Sequence, residues 1–265
     1  MREFQRSYQV RTAFISDLHL GTRDCRAGLL LDFLHSVQME TLVLVGDIVD
    51  IWSLRRQLHW PQTHNDVLRS ILAKAHAGTR VIYVPGNHDE LMRDFHGHCF
   101  GQLELQREYV HDTARGMRLL VTHGDGFDSA VQYPRWLAAV GSGMYDLTLA
   151  LNRHVNALRQ LFGYPYWSLA AHLKARVGNA LEYVQRFESA AAHAAHRRGF
   201  DGIVCGHIHR PDMRSLHGVL YCNDGDWVEN CTALVEDHSG ELELWNWAAF
   251  RAEQAPAARS LPQAA

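Results

Sequence analysis

Residues 10–19 read Val10-Arg11-Thr12-Ala13-Phe14-Ile15-Ser16-Asp17-Leu18-His19, a run of β-formers ending on a carboxylate and an imidazole two positions apart. The same pattern returns along the chain. TLVLV (41–45) precedes Gly46-Asp47, VIYV (81–84) precedes Pro85-Gly86-Asn87-His88-Asp89, MRLLVT (117–122) precedes His123-Gly124-Asp125, and GIVC (202–205) precedes Gly206-His207-Ile208-His209. Short apolar runs bounded by turn residues are what strands covered on both faces look like. Helix-like segments, among them Cys25–Gln38 and Asp66–Ala77, separate several of these runs. That alternation predicts an α/β fold with βαβ connections and a largely parallel sheet. In such sheets ligands collect at the carboxyl ends of the strands, so residues remote in sequence converge.

The converging residues share one chemistry. Asp17, His19, Asp47, Asn87, His123, His207 and His209 are an oxygen-and-imidazole set with no thiolate. Such a set suits two borderline divalent cations better than a structural zinc, and it points to two-metal hydrolysis of a phosphate ester or anhydride. Any one cluster alone reads as an ordinary turn, since Asn, Asp and Gly favour turns without a metal. Their succession at consecutive strand ends favours the functional reading.

The order D-x-H, GD, GNHD, H-G-D, GHxH resembles the calcineurin-like metallophosphoesterase superfamily, with every core position filled over roughly residues 10–245. The resemblance implies a double β-sandwich flanked by helices (α/β/β/α). It also implies one metal held by Asp17, His19 and His209, a second held by Asn87, His123 and His207, and Asp47 bridging them. Two divalent ions are expected, manganese first, with iron and zinc as competitors. His88, beside a ligand but outside the ligand set, is the candidate general acid for the leaving oxygen. Asp50 and Asp89 are candidates to orient imidazoles from behind.

Composition narrows the class further. A chain of 265 residues with 47% hydrophobic content can bury one substantial core, and a net charge of −3 gives no basic footprint for nucleic acid. No run of apolar residues is long enough to span a bilayer. The start lacks a secretory apolar region, and the five cysteines are odd in number without CxxC spacing. A cytoplasmic protein with reduced, mostly buried thiols is therefore expected. His193 and His196, beside a run of alanines, read as a solvated helix face. Residues 1–250 read as one domain and 251–265 as a disordered tail.

A stretch at about 129–198 lacks strand signals and is too long for a simple loop. Leu147, Leu151, Val155, Leu158 and Phe162 follow helical spacing, as do Leu169, Leu173, Val177, Leu181 and Val184. They predict a helical-hairpin cap, with either a packing face or an apolar groove above the metals. This insertion, Trp52 after Gly46-Asp47, Gly206-His207-Ile208-His209-Arg210-Pro211 and a strand at Trp227 are similar to the branch that hydrolyses UDP-2,3-diacylglucosamine in lipid A biosynthesis. That resemblance implies a nucleotide-linked glycolipid substrate, release of UMP, and peripheral association with the inner membrane. The chain departs from the branch at His88, where its third motif commonly reads GNRD. The alternatives are a broader cytoplasmic phosphodiesterase or phosphatase, which His88 favours, and a binding scaffold, which would be expected to have replaced ligands.

Overall fold

The computed structural model describes residues 8–130 and 178–254, with isolated positions between 152 and 162. It holds two mixed sheets. The first has seven strands in the order β12-β11-β1-β2-β3-β5-β4 and the second five in the order β6-β7-β8-β10-β9. In chain order these are β1 (Tyr8–Ile15), β2 (Val37–Val45), β3 (Arg80–Val84), β4 (Cys99–Phe100), β5 (Leu103–Leu105), β6 (Tyr109–Asp112), β7 (Arg118–Val121), β8 (Gly202–Cys205), β9 (Asp212–Leu216), β10 (Val219–Asn223), β11 (Thr232–Glu236) and β12 (Leu242–Asn246). The centre of each sheet is parallel, through β1, β2, β3 and β5 and through β7, β8 and β10. Antiparallel strands β4, β11 and β12 flank the first, and β6 and β9 the second. The sheets are thus less uniformly parallel than the helix-strand alternation predicts, because the late strands connect without crossover helices.

Side-chain alternation sorts the layers. Phe14, Val43, Val45, Ile82 and Val84 from the first sheet meet Leu119, Val121, Val204 and Cys222 from the second in a core between the sheets. Their neighbours Ala13, Ile15, Leu42, Leu44, Val81 and Tyr83 face the opposite way. There they meet α1 (Ala27–Ser36) and α3 (Gln62–His76); α2 (Ile51–Arg56) is a short turn between the two. Helix α1 presents Leu30, Phe33 and Leu34, and α3 presents Val67, Ile71 and Ala75, each a stripe at helical spacing. On the outer side of the second sheet, α4 (Gly178–Arg197) buries Phe187, Ala191, Ala192 and Ala195 against Ile203 and Tyr221. The result is α/β/β/α.

Several sequence expectations change here. The described end of the 129–198 stretch is α4, and it packs on the second sheet; Leu147, Leu151, Leu158, Leu169, Leu173 and Val177 lie outside the described residues. The solvated face at His193 and His196 is observed, both being exposed. Trp227 is not in a strand but in a turn, fully buried against Phe33. The tail boundary at 250 falls inside α5 (Trp247–Gln254), where Arg251 Nε pairs with Asp32 at 2.9 Å. Of the cysteines, Cys205, Cys222 and Cys231 are buried, Cys25 is half-buried and Cys99 exposed. Among the described residues no helix is long and apolar enough to cross a membrane.

One buried cluster ties the sheets together. Glu236 on β11 accepts from Arg11 Nη1 on β1, from the Ala114 N–H, and from His111 Nε2 on β6, each at 2.7 Å. Burial pushes its carboxyl up, but His111, Ala114 and Arg11 hold it at about 2, below its ordinary value. A depressed carboxylate contributes stability that is fully present above the unfolded value and is lost as pH falls toward 2. Glu236→Gln is expected to cost about 3–5 kcal/mol at pH 7, the range for breaking a buried pair. Urea denaturation at pH 7 and pH 3 should show that cost shrinking in acid; an equal cost at both would remove the linkage.

Candidate metal centre

Every predicted ligand lies where a central strand stops. Asp17 and His19 follow β1, Asp47 follows β2, Asn87 and His88 follow β3, His123 follows β7, and His207 and His209 follow β8. Both sheets therefore deliver side chains to one mouth. The ligand turns are tight: Asp17, His19, Asp47, His207 and His209 all have left-handed φ, between 47° and 69°. Non-glycine residues adopt this region at a cost of about 1 kcal/mol or more each, and such strain concentrates at functional sites. Two glycines make room. A Cβ at Gly46 would strike the His123 ring, and one at Gly206 would strike Ser16 and Asp17.

Among the described residues, three groupings have one ligand atom per residue, all within 4.8 Å of one another: Asp17-His19-His209, His19-Asp47-His88 and Asp47-His123-His207. Asp47 Oδ2 lies 3.9 Å from His19 Nε2, 3.9 Å from His88 Nε2 and 3.4 Å from His123 Nε2. Its Oδ1 is held elsewhere, accepting the His88 N–H at 2.8 Å. Asp17 is divided the same way. Oδ2 accepts from Ser16 Oγ at 2.6 Å and from the His207 N–H at 2.9 Å. Oδ1 faces His209 Nε2 at 3.1 Å, yet it is buried without a hydrogen bond.

The imidazoles are oriented from behind. His123 Nδ1 lies 2.9 Å from the Val45 carbonyl, which can only accept, so Nδ1 carries the proton and Nε2 presents a lone pair. That lone pair meets Asn87 Oδ1 at 3.2 Å as well as Asp47. Asp50 Oδ2 likewise takes His19 Nδ1 at 3.0 Å, leaving His19 Nε2 to face His209 Nε2 at 3.4 Å. Converging lone pairs and carboxylates repel unless a cation stands between them. These residues fit a pair of divalent ions.

Protonation follows the same logic. Burial opposes a charge on His123, but Asp47 and Asp17 outweigh it and raise its pKa well above the ordinary value. Burial likewise opposes ionisation of Asp17 and Asp47, and the surrounding imidazoles hold both carboxyls below theirs.

Asp50 touches two imidazoles, since His88 Nδ1 also lies 2.9 Å from its Oδ2. It also caps α2, accepting from the Ser53 N–H at 2.6 Å. Among the described residues, Asp89 bonds to amides and a hydroxyl rather than to an imidazole. Its carboxylate accepts from the amides of Gly86 (2.6 Å) and Ile48 (2.8 Å) and from the Tyr83 hydroxyl (2.5 Å), holding the Asp47 and Asn87 loops together. His88 is half-buried beneath Trp52, with ring centroids 4.5 Å apart, and its place in one metal-sized grouping brings it nearer the centre than its sequence assignment implies. Sequence reading missed Ser16, Asp128 and Asp224. Ser16 Oγ reaches Asp224 Oδ1 at 2.7 Å, and burial raises the Asp224 carboxyl well above its ordinary value. No residue spacing signals such contacts, which join segments far apart in the chain.

The chain is similar to several known proteins. UDP-2,3-diacylglucosamine hydrolase of Xanthomonas campestris pv. campestris is 28% identical over 250 residues, covering 86% of this chain and 96% of that protein. The protein of the same name from Haemophilus influenzae (strain PittGG) is 24% identical, with 86% and 96% covered. A solved archaeal phosphodiesterase overlaps 88% of this chain and 98% of its own at 13% identity and a TM-score of 0.41. The calcineurin-like phosphoesterase family model matches residues 10–211, a span that includes every ligand turn described above. The chain belongs to the calcineurin-like phosphoesterase family and is a metallophosphoesterase.

Proposed function

We propose that the enzyme hydrolyses the diphosphate of a nucleotide-linked lipid sugar of the UDP-2,3-diacylglucosamine type, releasing UMP and a lipid-bearing sugar 1-phosphate. The observation that carries this reading is the end-to-end relationship to hydrolases of that name, which spans 86% of the chain. Asp17, His19 and His209 would hold one divalent ion, Asn87, His123 and His207 the other, and Asp47 Oδ2 would face both. Two such ions supply charge neutralisation for the phosphoryl oxygens and acidify an attacking water.

The chain's own groups do the rest. Asn87 contributes an uncharged oxygen, which limits the negative charge met by an anionic substrate. Asp50 Oδ2, 2.9 Å from His88 Nδ1, holds the ring beside the centre and favours its charged form. His88 Nε2 is then a proton donor beside the centre for the departing oxygen. A substrate of this kind resides at the inner membrane, so loose peripheral association on the cytoplasmic side follows.

A broader phosphodiesterase reading is favoured by one observation, the His88–Asp50 pair, which serves any phosphoester regardless of a lipid. Turnover of UDP-2,3-diacylglucosamine against UDP-N-acetylglucosamine separates the two. Each ~100 Å² of acyl surface removed from water contributes about 2.5 kcal/mol. Partial burial of the acyl chains therefore gives an expected kcat/KM ratio of about 10²-fold or more, with UMP as product. Equal turnover of the two compounds would replace the lipid reading with the broader one.

A further inference from the structure

We propose that Asp128, held in turn by Tyr183, is the positioning residue that fixes the His207 imidazole with its Nδ1 lone pair directed to the metal centre. His207 stands on a left-handed turn after β8, with φ of 69°. Its ring lies 5.1 Å from that of His123 and 5.9 Å from that of Phe187. Nε2 is 2.9 Å from Asp128 Oδ2. A carboxylate only accepts, so that contact places the proton on Nε2 and leaves Nδ1 as the donor atom. The other Asp128 oxygen, Oδ1, accepts the Tyr183 hydroxyl at 2.7 Å. With both oxygens engaged, the carboxylate plane is set.

The arrangement completes a rule seen twice already in this site. His19 is anchored through Nδ1 by Asp50, and His123 through Nδ1 by the Val45 carbonyl. His207 is anchored through Nε2, so it must approach with the opposite edge. Partners of this kind are worth 10–100-fold in metal affinity. The Asp128 side chain is 47% exposed, and water competes for it. Tyr183 supplies the order that burial does not. Asp128 lies on the turn Asp125–Ala130 and Tyr183 on α4, so the pair also pins together the two chain segments that enter and leave residues 131–177. Phe127 against Phe187, edge to face at 5.8 Å, supports the same junction.

This inference rests on the dinuclear reading above. The test uses chelator-stripped full-length protein labelled with [15N]histidine, followed by titration with Mn²⁺ alone. Wild type is expected to show His207 as the Nε2–H tautomer in long-range 1H–15N spectra at alkaline pH, and to bind two ions. Asp128→Ala should lose that tautomer preference and bind one of the two ions about 10–100-fold more weakly. Asp128→Asn, whose amide oxygen still accepts from Nε2, should recover most of the loss, and Tyr183→Phe should show a smaller loss in the same direction. Two ions bound with wild-type affinity by Asp128→Ala would overturn the proposal alone. An Nδ1–H tautomer in wild type, or Asp128→Asn as damaging as Asp128→Ala, would also overturn it and make Asp128 a direct ligand. Wild type binding fewer than two ions would remove the dinuclear reading itself. Should Asp128→Ala fail to fold by thermal melting, Tyr183→Phe carries the test: unchanged affinity and tautomer there overturn the proposal.

Discussion

Asp47→Asn is expected to lower kcat/KM by about 10³-fold or more and to reduce metal occupancy at both positions. Among the described residues, Asp47 Oδ2 is the one carboxylate oxygen within 4 Å of imidazoles from both halves of the site, His19 and His123. Removing its charge leaves neither half with enough negative ligand. Two-metal charge stabilisation is worth several kcal/mol in the transition state, and each 1.36 kcal/mol is tenfold in rate. The substitution isolates charge from shape. Asn can still accept the His88 N–H at the Oδ1 position, and Asp89 still holds the Ile48 amide, so the loop keeps its supports. Elemental analysis after dialysis, together with kcat/KM, provides the check. A variant retaining two tightly bound ions, or losing only one, would refute Asp47 as the bridge.

His88→Ala should spare metal binding and cost about 10²–10⁴-fold in kcat, the usual worth of general acid assistance. The loss should be largest for a poor leaving group such as a sugar phosphate or alkoxide, and smallest for p-nitrophenolate, which needs no proton. Two structural facts motivate this split. The His88 ring is held between Asp50 and Trp52, and its Nε2 lies 3.9 Å from Asp47 Oδ2, beside the centre. Its membership of a metal-sized grouping sharpens the contrast. If His88→Ala loses an ion, His88 is a ligand. If the rate loss is equal across leaving groups, its role is charge stabilisation.

The legible parts of this protein were those written locally. The five strands that end in ligands were readable to within a few residues, apart from an early start to β2, because a doubly covered strand must be continuously apolar and a turn must follow it. Helices α1 and α3 were readable because Leu30, Phe33 and Leu34, or Val67, Ile71 and Ala75, repeat at the helical period. Trp227 was misread as a strand residue because a large buried aromatic looks the same in a strand and in a turn. Here the Asp226 carboxylate takes the amides of Val228 and Glu229 and makes the turn. The boundary placed at 250 cuts α5, whose tethers, Trp247 and Arg251 on Asp32, join residues more than two hundred positions apart.

Sequence alone determined the α/β class, the metallophosphoesterase family and the residues that gather at the strand ends. Those follow from residue type and from the rule that parallel strands gather their carboxyl ends at one mouth. Tertiary structure decided which atom of each ligand is available. The Val45 carbonyl, Asp50 and Asp128 set the edge that His123, His19 and His207 present, and Asp89 braces loops where an imidazole contact was expected. A tautomer depends on what lies behind the ring, and at His123 and His207 that partner is 78 or 79 residues away. No local pattern encodes a contact at that separation: packing the two sheets face to face creates the first, and the pairing of β7 with β8 in one sheet creates the second.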